Sequence, residues 1–509
     1  MHQAMTEAEM VARDAYGRLV ALLAAPTRDI AAAEDALGDA FERALRVWPE
    51  SGVPDSPEAW LLTVARNRQR DWLGSAAHRL SVPLDELLTG ADGPDDSRAA
   101  AFAAPASGSS SAAAPVSFSG RHLSPEHEGV AEPDEIPDKR LALLFVCAHP
   151  AVDPSVRTAL MLQTVLGFEA QQIAEAFAVP APAMAQRLVR AKRRIRDAGI
   201  PFAVPDRPAM PVRLPPVLEA IYGAYSIEWQ RVSGETLRES LAAEALYLAS
   251  TLADLLPEEP EVQGLVALLC LSIARTDART GPCGEWIALE AQDTALWNRA
   301  LIARGEAHLR RAHALATRPS RGAAGGAVAG AAAGAVAGAA SDRVAATPDH
   351  LDHPQWPFGR FQLEAAMQSA HCARATTGET DWLTLRALNE ALVRIAPTLG
   401  AQVSLASTIA ETDGPEAALN HLDALVAAAE SLSASAAAAL NRFQPAWATR
   451  AHLLAAAGRR NEALEAYDRT LALTTDPALR AHLALRRNEL QQRPLAPQSS
   501  STSPRTHRT

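Results

Sequence analysis

One stretch of the chain crowds basic side chains together without a single acid: AMAQRLVRAKRRIR, residues 183–196, carrying Arg187, Arg190, Lys192, Arg193, Arg194 and Arg196. Guanidinium groups offer a planar fork of donors that fits phosphate oxygens and the paired acceptors on the guanine edge. A second stretch, SPEAWLLTVARNRQRDWL (56–73), sets Trp60 among Arg66, Asn67, Arg68 and Arg70. An unpaired nucleic-acid strand asks for such a mixture: a basic groove, aromatic or apolar surface and amide donors. Structural hydrogen bonds from Asn67 and Arg66 are the alternative. Catalytic constellations are missing from the sequence, which has no phosphate loop, HExxH or GxSxG. Cys147 lies two residues before His149, but no second ligand pair follows at zinc spacing, so both read as core residues. Gln292, Asp293 and Trp297 read equally well as a cap and internal hydrogen bonds. The expectation is no catalytic residue, no metal and no cofactor.

These residues need elements to position them. Within 183–196, Met184, Leu188, Ala191 and Ile195 fall on one helical stripe, and Ala183, Gln186, Arg187, Arg190, Arg193 and Arg194 occupy the opposite arc. Upstream, Asp153 and Pro154 are start signals for one helix. FEAQQIAEAFA follows as a short helix with Ile173 and Phe177 on one face; VPAP then breaks the chain and Pro182 opens the next helix. Two short helices, a tight turn and a basic outer face predict a helix-turn-helix. Its second helix would turn Ala183, Gln186 and Arg187 toward base edges, with Arg190, Arg193 and Arg194 nearer phosphates. A solvated basic face is the bland reading. Near the N-terminus, Ile30, Leu37, Phe41 and Leu45 form a helical stripe that leaves Asp35, Asp39 and Glu42 outside it, as a solvated acidic face or a docking face. A Pro/Gly loop over 49–57 leads to a helix opening at Ser56-Pro57, in which Trp60, Val64 and Asp71 would pack.

The chain as a whole is acidic, with 48 basic and 59 acidic side chains among 509 residues and a net charge of −11. That balance suppresses non-specific DNA binding and leaves the basic segment as the local exception. Abundant alanine and few β-branched runs predict an all-α, multidomain protein. The four cysteines are widely spaced, which fits a reducing cytosol, and the N-terminus has no basic-then-apolar export signal, so the chain reads as cytoplasmic. Composition divides it into a block at 6–80, an acidic Gly/Ser/Pro-rich linker at 81–135, a block at 136–203, a helical block at 204–318, a Gly/Ala-rich linker at 319–350, a repeat-like block at 351–490 and a polar tail at 491–509. The Gly/Ala tract lacks Leu, Ile and Phe, so it reads as a linker and no membrane partner is expected. In WATRAHLLAAAGRRNEALEAY (447–467), Trp447, Ala451, Leu454, Ala463 and Tyr467 follow tetratricopeptide spacing, with Gly458 at the turn and Arg450 where the pattern prefers Leu. DGPEAALNHLDAL (413–425) resembles part of a preceding repeat. Stacks of this kind present a surface to a protein or peptide ligand; a purely stabilising appendage is the alternative. Trp356, Phe358 and Phe361 read as docking apolar surface.

FEAQQIAEAFAVPAPAMAQRLVRAKRRIRDAGI resembles region 4 of bacterial extracytoplasmic-function sigma factors, in the sigma-70 family, and IAAAEDALGDAFERALRVWP with SPEAWLLTVARNRQRDWL resembles region 2. LPEEPEVQGLVALLCLSIARTDAR, LEAQDTALWNRALIARGEAHLRRA and TDWLTLRALNEAL resemble the extension of the subgroup that carries a tetratricopeptide-like domain after region 4. The resemblance implies core RNA polymerase and promoter DNA as partners. It implies that Ala183, Gln186, Arg187, Arg190, Arg193 and Arg194 read a −35 element, that Trp60, Arg66, Asn67 and Arg70 hold an opened −10 strand, and that Asp35, Asp39 and Glu42 dock on the polymerase clamp. The acids of the linker, Asp85, Glu86, Asp92, Asp95, Asp96, Glu126 and Glu128, would then either mimic RNA phosphates or serve solubility. Two departures stand out: Gly38 replaces a common Gln, and WLGSAAHR leaves only Arg79 where the family often has paired arginines.

Overall fold

A computed structural model describes residues 2–80, 139–177, 179–229, 235–318 and 358–492. The acidic linker, the Gly/Ala tract, Trp356 and the tail beyond Gln492 lie outside the described residues, as does the Arg79 side chain. The described residues hold 19 α-helices, four short 3-10 turns and one isolated antiparallel bridge, Thr280 to Trp286. The all-α expectation is met. Among the described residues no helix is long and apolar enough to cross a membrane. The chain divides into two compact units, Met1–Ala8 with Ala32–Pro137, and Glu9–Ala31 with Asp138–Thr509.

The first unit is built on helix α2 (Ile30–Ser51) and helix α3 (Pro57–Leu80); helix α1 (His2–Thr27) precedes them. The buried face of α2 is carried by Ala33, Ala36, Leu37, Ala40, Ala44 and Trp48. Leu45, expected in the stripe, is 47% exposed, and Phe41 is half-buried. Alanine at four-residue spacing lets neighbours approach closely, which rotates the packed face away from the larger residues. In α3 the buried pair is Leu61 and Ala65, whereas Trp60 and Val64 are half-buried and Asp71 is exposed, so the expected packing of Asp71 is corrected. Trp48 and Trp60 meet edge to face at 5.5 Å, joining the end of α2 to the start of α3.

The second unit begins within α1, where Leu19, Val20 and Leu23 are buried. A Cβ on Gly17 would stand 1.9 Å from the Val165 carbonyl oxygen, so glycine is what admits this approach. Segment Glu9–Ala31 therefore groups with Asp138–Thr509 and not with the rest of the 6–80 block. Next come α4 (Lys139–Cys147), α5 (Pro154–Thr164), α6 (Ala170–Ala176) and α7 (Ala181–Asp197). Helices α8 (Met210–Trp229), α9 (Glu235–Leu255), α10 (Pro260–Ile273) and α11 (Arg299–Ala316) follow.

After the Gly/Ala tract the chain returns as α12 (Arg360–Thr377), α13 (Trp382–Ile395), α14 (Leu399–Asp413), α15 (Pro415–Leu432), α16 (Ala434–Arg442), α17 (Gln444–Ala456), α18 (Arg460–Leu473) and α19 (Pro477–Gln492). Helix α12 packs directly on α10: a Cβ on Gly264 would lie 2.7 Å from the Gln362 amide nitrogen. The Glu261 carboxylate accepts from the Phe361 and Gln362 amides at 3.0 and 3.2 Å, capping α12 from another helix. Arg360 ties Glu219 of α8 to Glu364 of its own helix. The segments on either side of the tract thus share one core. Farther on, Ala451, Leu454, Ala463 and Tyr467 are buried with Leu419, Leu422 and Leu483. Gly458 turns the chain between α17 and α18 at φ 75°. Arg450, the departure from the repeat pattern, donates to Asp423 of α15 at 2.6 Å.

Candidate nucleic-acid interface

The basic helix α7 is assembled from local rules. Asp153 caps α5, its Oδ1 accepting from the Ser155 amide and hydroxyl at 2.8 Å each. Those two hydrogen bonds hold its carboxyl below the usual range, and Arg157 and Arg187 add to the effect. Buried Arg157 donates to the Val152 and Pro150 carbonyls, fixing the turn before α5. A reciprocal capping box between Glu169 and Gln172 opens α6. Pro180 and Pro182 flank the first residue of α7, and Gly199, at φ 60°, ends the helix region.

The exposure pattern of α7 separates its two faces. Met184, Leu188, Ala191 and Ile195 are buried, at 5% exposure or less. Gln186, Arg187, Arg190, Arg193 and Arg194 are exposed, and Ala183 is half-buried near the helix start. Lys192, by contrast, is buried with the stripe, so its stem contributes packing. The outward side chains are held loosely: Arg190 donates to Gln186 at 3.3 Å, Arg193 pairs with Asp197 at 3.5 Å, and Arg194 reaches the Ala151 carbonyl at 3.4 Å. Contacts this weak can be exchanged for contacts to a polyanion at small cost. Arg196, at the far end, is engaged by Asp29 and Asp197. Val189, 66% exposed on the same helix, was passed over by sequence reasoning, which sorted α7 into stripe and bases.

In the first unit, Arg66, Asn67 and Arg70 are all exposed on α3, and Arg70 donates to the Asn67 amide oxygen at 3.3 Å. Trp60 stands half-buried one turn or more below them, its ring packed in a T-shaped pair with Trp48. Asp35, Asp39 and Glu42 are exposed on α2. Asp39 accepts from Arg68 of α3 at 2.6 Å and Glu42 from Arg46 at 2.8 Å. Exposed Leu45, which the stripe pattern places in the core, and exposed Val47 lie on the same helix as an apolar element beside the acids. A Cβ on Gly38 would meet nothing within 4 Å, so this face lacks a side chain at its middle. Cys147 is buried with its thiol 3.6 Å from the Thr164 hydroxyl, and His149 accepts from the Ala151 amide.

Residues 11–79 match the Sigma-70 region 2 family, and residues 213–313 match a family of unknown function (DUF6596). The chain is 30% identical to uncharacterized protein R00370 of Rhizobium meliloti (strain 1021) over 92% of both chains. It is 28% identical to the probable RNA polymerase sigma factor RfaY of Xanthomonas campestris pv. campestris, over 39% of this chain and 43% of that one. No solved structure matches.

Proposed function

Because the chain belongs to the sigma-70 family, in the subgroup whose sigma regions are followed by a helical extension, we propose that it recruits core RNA polymerase to a set of promoters and starts transcription there. Helix α7 enters the major groove of the −35 duplex, with Ala183, Gln186 and Arg187 toward base edges and Arg190, Arg193 and Arg194 on phosphates. Arg66, Asn67 and Arg70, with the Trp60 ring beneath, hold the opened −10 strand. Asp35, Asp39 and Glu42, together with exposed Leu45, form the face that docks on polymerase. The protein contributes no catalytic group of its own; polymerase does the chemistry. The C-terminal helices serve as a regulatory or interaction module for a protein or peptide. The observation that carries this reading is the division of α7 into a buried apolar stripe and an exposed arc of arginines.

The test is fluorescence anisotropy of the full chain on matched and base-substituted −35 duplexes at several salt concentrations. Arg187→Ala is expected to cut discrimination at one base position by about 1–3 kcal/mol. Equal weakening on every duplex would assign Arg187 to phosphate. A second reading is favoured by Gly38, which leaves the acidic face without a central side chain: a DNA-binding regulator that does not engage polymerase. Retention of core polymerase by the immobilised chain decides for the first reading, and DNA binding without such retention decides for the second.

A further inference from the structure

An all-helical chain has little use for a long irregular excursion, yet residues 274–298 run between α10 and α11 with only three 3-10 turns and one bridge. Connections beyond roughly 12–15 residues in a compact domain usually serve binding or gating. Under this excursion lie two buried guanidinium groups. Arg275 and Arg279 are each 7% exposed. Arg275 donates to Gln368 of α12, and its Nε has no partner. Burial works first against its charge, and the Cys372 thiol, the Tyr225 hydroxyl and the Arg374 guanidinium act on it beside that. Buried charges are ordinarily paired, and an uncompensated one is costly.

A second orphan donor sits alongside. Trp297 is 3% exposed and its indole Nε1 has no partner. The Asn298 amide donates to the Ala274 carbonyl at 2.8 Å, which brings Trp297 next to Arg275. Arg374 stacks on the Trp297 ring at 5.1 Å and ties the excursion to α12 by donating to the Glu290 and Gln292 carbonyls, both at 3.0 Å. The acids of the excursion, Asp277, Glu285, Glu290 and Asp293, are all exposed. Glu364, one turn before Gln368 on α12, is taken by Arg360. His371, on the same helix, is held neutral, its pKa pushed down to about 3 by burial and then by Arg275 and Arg374.

We propose that the buried, unpartnered donors of Arg275 and Trp297, beside Gln368 and Arg374, form a binding site for a small oxyanion, a phosphate or carboxylate group, covered by the 274–298 excursion. Arg275 Nε and Trp297 Nε1 supply the donors, and Arg374 adds charge from the rim. Arg275 and Trp297 lie inside the segment matched by the family of unknown function, Gln368 and Arg374 lie beyond it, and the site stands independently of the promoter reading.

The test is thermal unfolding of the full chain titrated with inorganic phosphate, and separately with acetate, at ionic strength held constant with chloride. A saturable rise in melting temperature with phosphate points to a phosphorylated ligand, and one with acetate to a carboxylate. In either case Trp297→Phe, which keeps the ring and removes the N–H, should raise the half-saturating concentration about tenfold. Arg275→Met should abolish saturation, and if that variant does not fold, Trp297→Phe decides alone. A wild-type melting temperature that neither anion moves beyond chloride, or a rise identical in Trp297→Phe, overturns the proposal.

Discussion

Glu364 is 1% exposed and shares Arg360 with Glu219, while Glu261 lies close by on α10. Three carboxylates around one guanidinium cannot all be charged in a buried place without cost. Burial dominates, lifting Glu364 to about 7 against the pull of Arg360 and lifting Glu261 as well. A carboxyl raised on folding holds a proton that the unfolded chain has already lost, so its stabilisation is complete below about pH 4.5 and disappears as pH rises through about 7. The melting temperature of Glu364→Gln, which is neutral at every pH, should therefore gain on the wild type from pH 5 to about pH 7 and level off above that. A constant difference across that range would show Glu364 to be charged throughout. None of this was legible in the sequence, because Glu219, Glu261 and Glu364 are separated along the chain and meet only through packing. The arginines of α7 were legible, since a helix places them by its own period.

Elements whose signals are local emerged as their sequences indicate: Asp153 and Pro154 start α5, Pro182 sits in the first turn of α7, and Gly458 turns α17 into α18. The faces of α2 and α3 were harder to read. Hydrophobicity pointed to Leu45, but the small residues Ala40 and Ala44 carry the contact and Leu45 is left outside. Size governs approach as much as apolarity does, and a sequence pattern weighs only the latter. Gly264 makes the same point on α10. Gly264→Ala should destabilise the chain by about 1–3 kcal/mol, because its methyl group would meet the α12 backbone and not a movable side chain. Chemical denaturation monitored by circular dichroism checks this; a loss of a few tenths would mean that α10 and α12 are not held this closely.

At the scale of the whole chain, the limits of the cores do not follow the low-complexity tracts. Glu9–Ala31 groups with the unit beginning at Asp138, and α12 completes the core of α10 and α11 across the Gly/Ala tract. Deleting 351–490 should thus do more than remove a module. It would uncover the Gly264 face and leave Glu219 and Glu261 without Arg360, so residues 204–318 should become sensitive to limited proteolysis. Resistance equal to that of the full chain would show that segment to fold by itself. The exposed arginine arc on α7 carries the functional account. The most direct measurement is run-off transcription by purified core RNA polymerase on a template with a selected promoter, with and without the full chain. The account predicts a discrete promoter-dependent transcript only when the chain is present, and weaker when Arg187 is alanine. A polymerase that ignores the promoter equally in both conditions, at several salt concentrations, would contradict it.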